Sequence, residues 1–259
     1  MEETSRQPEA PGTWWGKPGQ LLLALVLAMT FPTLITYLYF IALVPSSGAR
    51  EVSRAQQGVY TVGKILQFTW PVLYLFLVTG QIPHPGRPRW GGLALGLVFG
   101  LAVVAVMMAL YFLALRDSSL LTQTPEQIRQ KLIQVGMASP GRYLALAVFV
   151  TVLHSLLEEY YWRWFVFGGL RRLLSLWPAL VLSSLAFMAH HVIVLHVYLP
   201  GEFLAGVVPF SLGIAVGGSV WAWLYEVSGD QGSIYAPWLS HLLVDAGIFV
   251  IGWDLIQQG

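Results

Sequence analysis

The chain has no cysteine among its 259 residues, and only 10% of its positions are charged, against roughly 25% in ordinary soluble domains. The first absence excludes a disulfide framework, a thiolate nucleophile and cysteine-ligated zinc, and it leaves the redox compartment unmarked. Any metal here needs histidine and carboxylate ligands. The scarcity of charge, beside 56% hydrophobic positions, excludes a chain that mostly faces water. A net charge of +1 with no basic block argues against nucleic acid as a partner, because phosphate binding needs clustered Lys and Arg.

What is present is a series of long apolar runs. Residues 1–20 read as a polar lead-in whose Trp14 and Trp15 suit the depth of lipid headgroups. Leu21 to Val44 carries no charge and lacks a small-x-small cleavage site, so it predicts a retained spanning helix with Pro32 as a candidate kink. A second span is expected over Val62 to Gly80. The polar connection "QIPHPGRPRW" (81–90), which contains His84, leads to a third span, Gly91 to Leu115, with Gly96 and Gly100 placed for close helix contact. In "TQTPEQIRQKLIQVG" (122–136), Thr124 as a cap, Pro125 in the first turn and Gln127 predict a helix start. Ile128, Leu132 and Val135 give that helix one apolar face, suited to the membrane surface or to a connector in water. Tyr143 to Leu170 can form one continuous helix ending at Arg171 and Arg172. Ala179 to Leu199, Phe203 to Tyr225 and Ile234 to Ile256 supply three more spans, with Gly213 and Gly217 spaced for close packing. The expected fold is all-α, a polytopic transmembrane bundle of about seven spans. It divides into the lead-in 1–20, membrane helices and an amphipathic surface helix over 21–140, and a chemically richer part over 141–259. Lys and Arg counts are similar on alternate connections, so they do not fix orientation.

Ionisable side chains in such spans are expensive, at least about 2.5 to 3.5 kcal/mol each at the bilayer centre, and each marks a candidate site. In "LLEEYYWRWFVF" (156–167), Glu159 and Arg163 are four apart in the favourable order for an ion pair on one helix face. Glu158 points about 100° away from Glu159, shares a face with His154 and has no cation in sequence reach. "AFMAHHVIVL" places His190 and His191 in another span, and "WLSHLLVDAG" places His241 and Asp245 four apart in the last. Glu158, His191, and His241 with Asp245 therefore lie on three separate apolar helices. Convergence buries them against one another instead of against lipid. A carboxylate and two imidazoles around a water can take its proton and stabilise the oxyanion of an attacked amide. His196, at a span edge, and His84, in a proline-rich connection, have no such partners.

"EEYYWR" (158–163), "FMAHH" (187–191) and "HLLVD" (241–245) resemble, in order, the EExxxR, FxxxH and HxxxN/D motifs of the CAAX-protease and bacteriocin-processing family of intramembrane proteases. The resemblance implies an all-helical membrane endopeptidase. In it Glu158 activates water, Glu159 assists, His191 and His241 position the water or a metal, and Asp245 stands where that family has Asn or Asp. Arg163 and Phe187 would shape the site. Strict spacing from Phe187 selects His191; His190 is the second choice, and His154 is a supporting residue. No cofactor is implied with certainty. A divalent metal such as zinc, held by Glu158, His191 and His241 with water in the fourth position, stays open. The string holds no HExxH, GxGD or GxSG, which disfavours the other intramembrane protease chemistries.

The favoured expectation is hydrolysis of a peptide bond in a membrane-associated or lipidated protein, or in an exported peptide. The expected partners are lipid and such a substrate, and in a prokaryote the expected location is the cytoplasmic membrane. A non-catalytic scaffold or immunity-type binding protein of the same fold is the alternative. A proton-coupled carrier is disfavoured, since carriers tend to show two similar halves and the ionisable residues singled out here all lie in the second half.

Overall fold

The computed structural model describes residues 15–44, 53–80, 87–229 and 232–258. Most of the polar lead-in with Trp14, and the stretch 81–86 with His84, lie outside the described residues. Among the described residues seven helices are long and apolar enough to cross a membrane: α1 (Pro18–Ala42), α2 (Arg54–Val78), α3 (Trp90–Leu115), α5 (Pro140–Leu173), α6 (Leu176–Tyr198), α7 (Phe203–Val227) and α8 (Tyr235–Gln257). Between α3 and α5 lies the short α4 (Thr124–Gln134). Among the described residues there is no strand. The chain is an integral membrane protein with an all-α polytopic bundle.

Local chemistry sets several boundaries. α2 begins eight residues before the expected Val62, because Ser53 caps it. The Gln56 amide donates to Ser53 Oγ at 3.1 Å, and the Ser53 amide donates to Gln56 Oε1 at 3.2 Å. Gln56 Nε2 then donates to the Tyr39 carbonyl at 2.8 Å, tying the start of α2 to the end of α1. Pro32 lies inside α1 without ending it. Thr124 does not cap α4: it is the helix's first residue, and its hydroxyl donates instead to the Tyr198 carbonyl at 3.0 Å. α4 lies on the bundle with Thr124 and Leu132 buried, and the Lys131 ammonium sits 4.1 Å from the Tyr39 ring centre. Its burial pushes the Lys131 pKa down to about 8.

The bundle is built around the second half of α5. Tyr161, Trp162, Phe165, Val166 and Phe167 are all fully buried, so this stretch is surrounded on every side, whereas Leu144, Val148, Phe149 and Leu153 in its first half are exposed. Exposed leucines such as Leu77 and Leu113 are what a lipid-facing surface requires, since hydrocarbon does not penalise them. α3 and α8 pack most closely where a side chain on Gly96 would stand 2.2 Å from the Ala236 carbonyl oxygen, and one on Gly100 3.0 Å from Ser240 Cα. Gly213 and Gly217 do not serve that purpose, for a side chain at either meets nothing within 4 Å; the close contacts on α7 are Gly206 against Leu120 and Gly218 against Phe187.

Candidate active site

α5 is continuous, as expected, but it is not uniformly α-helical. Phe149–His154 and Tyr160–Phe167 are π-helical turns, and the short α-helical stretch Ser155–Glu159 between them carries both glutamates. Such widened turns are frequent at functional positions, and others occur in this bundle at Leu38–Ala42, Tyr111–Leu115 and Phe203–Val207.

The glutamates have different surroundings. Glu159 is wholly buried, with Oε1 2.7 Å from His241 Nδ1 on α8 and Oε2 3.2 Å from Arg163 Nε one turn along α5. The Arg163 contact has the distance of an ion pair without the alignment of a hydrogen bond. The guanidinium is held between rings, 4.6 Å from the centre of Phe187 and 5.3 Å from that of Trp221. Glu158, also buried, is ringed by imidazoles. His154 Nε2 lies 3.4 Å from Oε1, His190 Nε2 on α6 lies 3.8 Å from Oε1, and His241 Nε2 lies 3.8 Å from Oε2. Asp245 completes the group, its Oδ1 3.6 Å from His241 Nε2.

The three helices singled out in the sequence do converge, and the two i, i+4 pairs of α5 form as expected. On α6, His190 is the imidazole within 4 Å of Glu158, where the motif spacing pointed to His191. The His191 ring lies beside it, with centroids 4.0 Å apart, and donates Nδ1–H to the Phe187 carbonyl at 2.9 Å. That bond leaves the lone pair of His191 on Nε2. His190 is buried and His191 is half-buried. Aromatic faces fix the rest: Trp221 stacks on His241 at 4.2 Å and donates Nε1–H to Ser240 Oγ at 2.9 Å, and Trp162 lies parallel to His190 at 5.8 Å.

Two site residues were not singled out in the sequence. Trp221 carries no signal that distinguishes it from any other tryptophan in a span. Lys64 does, because it is a lone charge in the middle of α2, and its ammonium lies 5.6 Å from the ring centre of Phe68, which meets the His154 ring at 6.0 Å. The ionisable residues of the site are thus not confined to the second half of the chain.

A metal held by Glu158, His191 and His241 does not fit these positions. Among the described residues no three His, Asp or Glu side chains are grouped to hold an ion. His191 is not among the imidazoles within 4 Å of the Glu158 carboxylate.

Residues 140–247, under half of the chain, match the family model described as Type II CAAX prenyl endopeptidase Rce1-like. Over this segment the chain is similar to the Rce1-like family. The match starts at the first residue of α5 and ends just beyond Asp245, so the matched segment contains every residue of the glutamate–histidine cluster and excludes Lys64. The family is one of membrane proteases, which act on protein substrates in a lipid environment. Comparison with curated proteins and with solved structures gave no match.

Proposed function

We propose that the chain is an intramembrane endopeptidase in which Glu158 activates water to hydrolyse a peptide bond of a membrane-associated or lipidated protein, or of an exported peptide. The observation that carries this reading is the pair of 3.8 Å gaps from the Glu158 carboxylate oxygens to imidazole nitrogens on two other helices. Each gap is too long for a direct hydrogen bond and suits a bridging water. Glu158 takes a proton from the water, whose oxygen attacks the carbonyl carbon. The same carboxyl then returns the proton to the departing amine. His190 steadies the carboxylate. His191, half-buried and with its lone pair on Nε2, accepts a hydrogen bond from the water. His241 is oriented by Glu159 through Nδ1 and, in its doubly protonated form, presents Nε2–H to the oxyanion, with Asp245 alongside. In a prokaryote the enzyme would reside in the cytoplasmic membrane.

Glu158→Gln tests this reading. It keeps the shape of the side chain and removes the proton acceptor, so cleavage of a reporter substrate should fall to background while expression and membrane insertion stay at the parent level. Undiminished function of that variant in cells would instead support a binding scaffold.

A further inference from the structure

Lys64 is placed and partnered as a group that receives a ligand. It and Arg54 are the only charged side chains of α2, and Lys64 sits ten residues inside the helix. A cation at such depth is retained where it has work to do. Yet no carboxylate stands within 4 Å of Nζ among the described residues. Its polar contact is the neutral Gln67 side chain, whose Oε1 accepts at 3.2 Å, and its other neighbours are the rings of Tyr60 and Phe68, with centres 5.7 and 5.6 Å away. Gln67 is wholly buried, and its Nε2 has no acceptor. The pair therefore offers donors without acceptors: the remaining ammonium hydrogens and a buried amide NH2. Phe68 links this group to the cluster on α5, its ring edge-on to His154 at 6.0 Å and to Tyr161 at 6.1 Å, and His154 itself touches Glu158.

We infer that Lys64, with Gln67 beside it, is a carboxylate-reading subsite of the hydrolase proposed above, and that it binds a carboxylate of the peptide close to the bond being cut. The inference rests on that reading for its location. The chemistry follows from the donors, since a half-buried ammonium within a span binds an anion as a charge-assisted pair. A chain-terminal carboxylate and an acidic side chain share that chemistry, so both sources are tested.

The test uses the purified full chain in detergent and three fluorogenic hydrophobic octapeptides. One ends in a free carboxylate, one is its C-terminal amide, and one is the amide with glutamate at the penultimate position. A charge-assisted contact corresponds to at least about a tenfold preference. The acid should therefore show a KM about tenfold or more below that of the amide, and Lys64→Met should abolish the difference. Preference for the free acid alone assigns the subsite to a chain end; equal preference for the glutamate peptide assigns it to a side chain. Equal KM values for all three peptides with the parent protein overturn the inference, and this result stands whether or not Lys64→Met folds. Equal losses of kcat on all three in Lys64→Met overturn it as well, because Lys64 would then act on Glu158. Should the parent protein cleave nothing, fluorescence anisotropy of labelled acid and amide separates the two ideas: tighter binding of the acid sustains the subsite while the hydrolase reading fails.

Discussion

Glu158 and Glu159 are chemically identical neighbours, and packing alone divides their roles. Glu159 has a cation on one oxygen and an imidazole on the other, which makes it a positioning residue for His241. Glu158 faces three imidazoles and, among the described residues, no Lys or Arg within 4 Å. Removing one partner of a buried ion pair costs about 3–5 kcal/mol, because the other charge is left uncompensated. Arg163→Ala should therefore lower the detergent-solubilised Tm markedly. Adding Glu159→Gln should recover part of the loss, since the amide oxygen still accepts from His241. Neither change should restore cleavage to Glu158→Gln. Strictly additive Tm changes across the four members of the cycle would show that Arg163 and Glu159 are not coupled. The pairs Glu159–Arg163 and Glu158–His154 were legible in the sequence because four residues make one helical turn. The contacts of His241 with Glu159 and of His190 with Glu158 were not, because they depend on which face each helix turns inward. Adjacent residues differ by about 100° in that respect, so spacing from Phe187 pointed to His191 while packing sets His190 nearest the carboxylate.

At the level of elements, hydropathy located all seven spans, since apolar length is what the bilayer selects. It misplaced the start of α2, whose first turns are polar and are held by Ser53 and the Tyr39 carbonyl. It also passed over Lys64. The π-helical turns flanking Ser155–Glu159 have no counterpart in the residue pattern. The glycines divide similarly, since spacing alone does not show which of them meets a neighbour. Gly96→Ala places a methyl group 2.2 Å from the Ala236 carbonyl, so α8 must move. Overpacking of this kind costs about 1–3 kcal/mol and carries His241 away from Glu158. Gly217→Ala meets nothing and should be neutral, or stabilising by up to about 1 kcal/mol through helix propensity. Thermal melts and cleavage assays of the two variants should diverge accordingly. Matching melts would mean that α3 and α8 are not in contact at Gly96.

Across the whole molecule, α5 runs from one face of the bundle to the other. Its start packs against the end of α8, where Tyr143 donates to the Phe249 carbonyl at 2.7 Å. Its last turn carries Arg171, which pairs with Glu226 near the end of α7 at 2.8 Å. Ser139, just before α5, and Ser175, just after it, are both exposed. The lack of cysteine in the sequence makes an introduced thiol the sole maleimide target within the chain, so the label on the purified chain reports this arrangement. In intact cells a membrane-impermeant maleimide should modify either Ser139→Cys or Ser175→Cys, and it should reach the other only after permeabilisation. Modification of both from outside would mean that α5 does not traverse the membrane. The residue that reacts also reports which compartment receives each end of the helix bearing Glu158, and so which side of the membrane lies nearer to that carboxylate.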